Sequence, residues 1–326
     1  MQEAIQNLQK EIEQYIISYA NSIQGKPIEL YEPLSYMLKL GGKRMRPLLV
    51  LLGCDLFCKP VESALNAAIA VEVLHNFTLI HDDIMDKAPL RRNKETIHKK
   101  WNENIAILSG DAMMIKSYQL LSTYPGELLS NLLFVFNQTA LEVCEGQQMD
   151  MNYETNSTDI NQYLKMIELK TAVLLAASLK MGAIIADAPE KDASLLYEFG
   201  KNIGIAFQLQ DDILDAYGDP EKFGKQIAGD IITNKKTFLY LKALELANEQ
   251  DKKQLQLMFS SNPENPEEKI KLVLAIFEKY QIKAEASNEM GKYFLKGISF
   301  LESVNVEESK KNNLLELADS LMVREM

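Results

Sequence analysis

Histidine, cysteine and tryptophan are scarce in this chain of 326 residues, with three, three and one copies. Cys54, Cys58 and Cys144 form no Cys-x-x-Cys pair, and an odd count excludes a closed disulfide framework. Cys54 and Cys58 lie one helical turn apart, but no neighbouring histidine or second thiol pair completes a zinc site. Their plainest reading is as reduced thiols. Glycine and proline are also sparse, at 15 and 10 residues, which favours long helices over many short strands. Basic charge is in deficit: 35 Lys plus Arg stand against 46 Asp plus Glu, a formal net charge of −11. That balance excludes a nucleic-acid binder held by a broad basic surface. Only a local basic pocket or bridging cations would let such a chain hold a polyanion.

Long uninterrupted apolar runs are missing as well. The greasiest stretch, TAVLLAASLKMGAIIADA, is interrupted by Lys180 and is short for a membrane span. The first residues, MQEAIQNLQKEIEQYI, are acidic and amphipathic, without the basic and apolar regions of a secretory signal. We therefore expect a soluble, cytoplasmic protein without a membrane span.

What remains is helical periodicity. Ile5, Leu8, Ile12, Tyr15 and Ile16 share one face near the start. A short helix is expected over 34–40, stopped by Gly41-Gly42, and the next opens with Pro47 in its first turn. Residues 61–86 predict one long apolar helix, and KAPLRRNKETIHKKW reads as a loop. Further helices are predicted over 103–122, 127–149, from near Asp159 to about Ala186, and from the KDASLLYEF segment to Gly218. Three or four more follow SSNPENPEE. With no period-2 strand, solenoid repeat or low-complexity tract, the fold class is all-α.

Two acidic clusters stand out. In HNFTLIHDDIMDKAPLRR, Asp82 and Asp86 are spaced i, i+4 on one helix face, beside Asp83. DDILD repeats the pattern with Asp211, Asp212 and Asp215. One such cluster is ordinarily solvated surface. Two of them, each ending a long apolar run, suit Mg²⁺, a hard cation that takes carboxylate, water and phosphate oxygens. Basic residues accompany them: Lys43, Arg44 and Arg46 in GGKRMRP, Arg91 and Arg92 in LRRN, and Lys170, Lys225 and Lys235 later. Arginine offers a planar fork matched to phosphate. Two facing clusters would hold Mg²⁺ ions around one diphosphate.

From GGKRMRP through HNFTLIHDDIMDKAPLRR, GQQMD, LKT and FQLQDDILDAYGD to FGK…GDI…KKT, the chain resembles the trans-isoprenyl diphosphate synthases. These short-chain polyprenyl synthetases make geranyl, farnesyl and geranylgeranyl diphosphate. The resemblance implies one domain over residues 1–326, a single large bundle of long helices around a central tunnel, and a homodimer. It implies Mg²⁺ as cofactor, held by Asp82, Asp86, Asp211 and Asp215, with Asp212 in support. The allylic diphosphate (dimethylallyl, geranyl or farnesyl) would be held with help from Arg91, Lys170, Lys225 and Lys235. Isopentenyl diphosphate would lie against Lys43, Arg46, His75 and Arg92. Thr171 and Gln208 would turn oxygen dipoles toward the developing cation, and Gln147 and Asp150 match a site-lining element. One departure is Asn93, where the family usually carries glycine after the two arginines. His75 has a plainer reading as a polar residue at a helix contact, but it lies seven residues before Asp82, on nearly the same face.

In the family, the fourth and fifth residues before the first aspartate form the tunnel floor. Here they are Thr78 and Phe77, with Phe77 about 7.5 Å below Asp82 at 1.5 Å per residue. Small-then-aromatic resembles synthases of the twenty-carbon product, geranylgeranyl diphosphate; farnesyl diphosphate is the alternative product. Phe77 as ordinary core packing also remains open. Three rivals are weaker. A class I terpene cyclase would lack Lys43 and Arg46 as an isopentenyl pocket and carry a different second metal motif. A phosphohydrolase built on His81-Asp82 would need more histidines than His75 and His98. A non-catalytic regulatory subunit of a heteromeric synthase would be expected to lose its acidic clusters, and both are intact.

Overall fold

The computed structural model describes residues 3–218, 228–260 and 265–322. Helices dominate, and the only strands among the described residues are two-residue pieces, Leu90–Arg91 (β1) and Lys94–Glu95 (β2). The chain groups into two compact units. The first comprises Met1–Ala140, Ala177–Tyr197 and Ser303–Glu316; the second, Leu141–Ala176, Glu198–Glu302 and Leu317–Met326.

The first unit opens with α1 (Glu3–Ser22), α2 (Ile28–Lys39) and α3 (Met45–Asp55). α1 buries Ile5, Ile12 and Ile16, as its periodicity predicts. α2 begins well before the expected residue 34 and carries Pro33 in its second turn, where proline has no N–H to donate to the Glu29 carbonyl. A single 3₁₀ turn (Val61–Ala64) leads into α4 (Leu65–Met85), which is packed by α6 (Glu103–Leu121) along much of its length. With its 3₁₀ turn, α4 is long and apolar enough to cross a membrane by composition, yet most of it is buried in this unit's core.

Arg44 ties these helices together. It adopts a left-handed φ of 49° ahead of α3, and its buried guanidinium donates to Glu13 and Glu72, each at 2.6 Å, and to the Leu38 carbonyl. It therefore joins α1, α4 and the end of α2, and serves the fold instead of offering itself to a ligand. The segment expected to be a loop after α4 contains a tight hairpin, with Leu90 opposite Glu95 and Arg91 opposite Lys94, and then the short α5 (Ile97–Lys100). Arg92 and Asn93 occupy its turn at φ 53° and 61°, the paired positive values of a two-residue hairpin turn. Asparagine tolerates that region better than most residues, so Asn93 supplies what a glycine would.

α7 (Gly126–Thr155), α9 (Val173–Ile185), α10 (Glu190–Tyr217) and α16 (Glu308–Met322) each continue from one unit into the other. The second unit adds α8 (Ile160–Ile167), opened by a capping box in which Asp159 and Gln162 bond reciprocally. It also holds α11 (Gly229–Ile232), α12 (Phe238–Leu246), α13 (Glu249–Met258), α14 (Pro266–Lys279) and α15 (Ile282–Glu302). Its core centres on Tyr163, Ile205, Leu209, Ile213, Phe238 and Phe277. Sequence periodicity predicts one helix from Asp159 to Ala186; the structure instead inserts a π-helical turn, Glu168–Ala172, between α8 and α9.

Candidate active site

In the first unit, the functional side chains gather at the C-terminal end of α4. Asp82 occupies the last turn and Asp86 is the C-cap, its N–H donating to the Asp82 carbonyl at 2.9 Å. Carboxylates at a helix C-terminus add to the negative end of its macrodipole, and the last turn of α4 has no basic residue to offset them. The third member of the cluster is turned inward. Asp83 is buried and forks onto Arg91, whose Nε donates to both carboxylate oxygens at 2.8–2.9 Å while Nη2 lies 2.7 Å from Oδ1. Asp83 therefore aims Arg91 toward this end of α4.

A basic group lies nearby. Arg46, in the first turn of α3, places Nη1 3.1 Å from His75 Nε2. Since arginine only donates, His75 accepts here and is neutral. Burial, and then Arg46, Arg92 and Arg91, hold the imidazole well below its usual range. Burial, with a contribution from Arg92, lowers the Arg46 guanidinium to about 10. The buried Arg46 Nε has no hydrogen-bond partner. Arg92, on the hairpin turn, donates to the Gly41 carbonyl, and Lys43 is exposed on the segment leading into α3. Mutually repelling cations with a spare buried donor are what an anion would stabilise. On the same face of α4, Phe77 and Thr78 are half-buried and Leu74 is buried. The Thr78 hydroxyl donates to the His75 carbonyl at 2.8 Å, so its proton is held by its own helix.

The second unit carries the other cluster at the C-terminal end of α10, again without a basic residue in the last turn. Asp211 and Asp215 are half-buried one turn apart. Asp212 points inward, accepting from the Tyr163 hydroxyl and, at 3.3 Å, from Gln208 Nε2. Burial, and then the neighbouring Asp230, push its carboxyl up to about 7. Asp230 also donates its backbone N–H to Asp215 at 3.0 Å, and its carbonyl accepts from the Lys235 N–H at 2.8 Å. The π turn presents the remaining groups, a common use of such bulges. Lys170 Nζ lies 2.5 Å from Asp150, and the Thr171 hydroxyl donates to Gln208 Oε1 at 3.2 Å. With its proton committed, the Thr171 oxygen has only lone pairs to offer elsewhere. Gly146 makes this turn possible, because a Cβ there would overlap the backbone of Lys170. Lys225 lies outside the described residues.

Three contributors receive no role from the sequence, although two of them, Asp230 and Lys236, lie in the GDI and KKT motifs that carry the resemblance. Tyr163 reads as a core aromatic, and Asp230 sits in a loop-like stretch with no partner at helical spacing. Lys236, beside Lys235, donates to the carbonyls of Tyr153, Glu154 and Asn156 at the end of α7 and so anchors the Lys235 segment.

The donor set suits a hard divalent cation. It offers carboxylate oxygens at two helix ends of the wrong dipole sign and, in the second unit, an acid whose ionisation is opposed by another carboxylate. Among the described residues no three Asp, Glu, His or Cys side chains form a complete cage. Mg²⁺ usually takes one or two protein carboxylates and completes its shell with water and phosphate oxygens.

The polyprenyl synthetase family matches residues 27–276. The chain is 38% identical to the geranylgeranyl diphosphate synthase of Sulfolobus acidocaldarius over 308 residues, covering 93% of this chain and 92% of that protein. It is 39% identical to the short chain isoprenyl diphosphate synthase of Methanocaldococcus jannaschii over 273 residues, 83% of this chain and 82% of that one. A crystal structure of a geranylgeranyl pyrophosphate synthase superposes with a TM-score of 0.94 at 44% identity, covering 100% of both chains. The protein belongs to the polyprenyl synthetase family and is an all-α prenyltransferase.

Proposed function

We propose that this enzyme condenses isopentenyl diphosphate head-to-tail with dimethylallyl, geranyl and farnesyl diphosphates, with geranylgeranyl diphosphate as its main product. The observation that carries the reading is that both acidic clusters sit at the C-terminal ends of long helices, α4 and α10, without a basic residue in either last turn. Negative charge at a helix C-terminus adds to the macrodipole there, and a bound cation eases it.

Asp82 and Asp86 in one unit, and Asp211 and Asp215 in the other, are the ligands for Mg²⁺, which when bound supplies Lewis-acid stabilisation of the leaving diphosphate. Arg91, Lys170, Lys225 and Lys235 bind the allylic diphosphate; Lys43, Arg46, His75 and Arg92 bind isopentenyl diphosphate. The allylic C–O bond breaks, and its electron pair leaves with the diphosphate. The isopentenyl double bond then attacks the allylic carbon. A proton is finally lost from the isopentenyl unit to the released diphosphate, giving the new double bond. Thr171 and Gln208 turn oxygen toward the transient positive charge, and apolar helices exclude the water that would quench it.

The twenty-carbon product rests on Thr78 and Phe77 as the tunnel floor and is supported by similarity to geranylgeranyl diphosphate synthases. A homodimer is supported by a run of exposed apolar side chains, Leu108 and Ile115 on α6 and Phe134 on α7, exposed by 59%, 60% and 77%. A single catalytic domain is supported by the helices that continue from unit to unit. A soluble cytoplasmic enzyme is supported by the burial of α4, the one described helix apolar enough to span a membrane.

The decisive variants are Asp82→Ala and Asp211→Ala. Each should lower kcat by about two orders of magnitude or more, on the order of 3 kcal/mol of lost transition-state stabilisation, with an unchanged circular dichroism spectrum. Near-normal turnover by either folded variant would refute the metal assignment.

A further inference from the structure

The mechanism leaves His81 without a task, although it immediately precedes the first metal-binding aspartate. Its ring lies between two tight contacts. On α4 it meets Phe77, one turn earlier, edge-to-face with centroids 4.8 Å apart and planes at 62°. A helical side chain leans toward the preceding turn, which brings this imidazole over Phe77. On α6, His81 Nε2 lies 3.3 Å from the Ile107 carbonyl and 3.7 Å from Asp111. Between those residues is Gly110, and a Cβ on it would overlap both Nε2 and Cδ2 of the imidazole. The ring therefore has no clearance toward Gly110, and it meets Phe77 along α4.

We propose that His81, seated against α6 by Gly110, is a positioning residue that fixes the Phe77 ring and thereby sets product chain length. The inference rests on the reading of Phe77 as the tunnel floor. It differs from a metal-ligand role, because the contacts that hold the imidazole are the Phe77 ring and the α6 backbone at Ile107 and Gly110. It differs from general core packing, because the half-buried His81 touches the one aromatic side chain whose position decides how far a growing tail extends. Without the imidazole, Phe77 gains room to turn away and the floor drops. With a methyl at Gly110, the imidazole is pressed toward Phe77 and the floor rises.

The test is product chromatography of the full chain with Mg²⁺, isopentenyl diphosphate and farnesyl or geranyl diphosphate. Variants are compared at matched conversion of isopentenyl diphosphate, so that a difference in the amount of active enzyme does not enter the product ratio. Phe77→Ala should lengthen the main product by at least one isoprene unit. His81→Ala should lengthen it in the same direction and add nothing in the Phe77→Ala background. His81→Gln, which keeps a polar group of similar reach for the Ile107 carbonyl, should return the parent pattern. Gly110→Ala should shift products shorter; if it does not fold, the His81 series still decides. An unchanged distribution for His81→Ala alongside a shifted one for Phe77→Ala would overturn the proposal and leave the floor intact. Equal lengthening by His81→Ala with and without Phe77 would also overturn it. An unchanged distribution for Phe77→Ala would instead remove the floor reading itself, and this inference with it.

Discussion

Neighbouring arginines with the same charge do opposite work here. Arg44 is saturated by Glu13, Glu72 and a carbonyl, whereas the half-buried Arg46 meets a neutral histidine and keeps a buried Nε without a hydrogen-bond partner. The GGKRMRP stretch offers Arg44 as a basic residue beside Lys43 and Arg46, although only the latter two fall in the isopentenyl set that the resemblance implies. What separates the two arginines is the position of Glu13 and Glu72, 31 and 28 residues away from Arg44, and no local pattern reports it. The difference is measurable. Arg44→Ala leaves Glu72 buried without its partner and should cost about 3–5 kcal/mol of stability, read by urea denaturation. Arg46→Ala removes a cation that burial already disfavours. Its denaturation midpoint should stay near the parent's, while KM for isopentenyl diphosphate rises much more than KM for the allylic substrate. A large loss of stability in Arg46→Ala, or equal KM changes for both substrates, would contradict the division of roles.

At the scale of elements, helix existence was legible because apolar residues recur at helical spacing through most of the chain. Register breaks were not. The π turn at Glu168–Ala172 lies inside an unbroken apolar pattern, and its cause is tertiary, the close approach of α7 at Gly146. The hairpin after α4 was hidden for a related reason: Arg92 and Asn93 do not spell the usual glycine-bearing turn, yet both adopt positive φ. The acidic clusters were readable as i, i+4 pairs, but which member turns inward was not. Asp83 and Asp212 are taken by Arg91 and Tyr163, from elsewhere in the chain. The π turn yields its own prediction. Gly146→Ala must push Lys170 and Thr171 away from Asp150 and Gln208, so kcat should fall by roughly tenfold, about 1.4 kcal/mol, under saturating substrates. Unchanged kcat in the folded variant would show that the turn's placement does not matter to the reaction.

Taken as a whole, an acidic protein of net charge −11 is an unpromising container for two diphosphates. It concentrates cationic side chains around Arg46 and His75, and places carboxylates at the C-terminal ends of α4 and α10. If a hydrocarbon tail is bound as proposed, its burial would contribute about 0.8 kcal/mol per CH₂. Family membership was legible from the ordered motifs, since two acidic clusters and the intervening basic residues constrain the chemistry more than either does alone. The central claim is that this chain builds a linear prenyl chain from isopentenyl units. Its most direct test is to incubate the purified protein with Mg²⁺, isopentenyl diphosphate and each allylic starter in turn, and to size the products. The account predicts a linear twenty-carbon diphosphate as the main product, formed only when Mg²⁺ and both substrate types are present. Release of inorganic diphosphate without carbon–carbon bond formation, or a cyclised hydrocarbon, would contradict it.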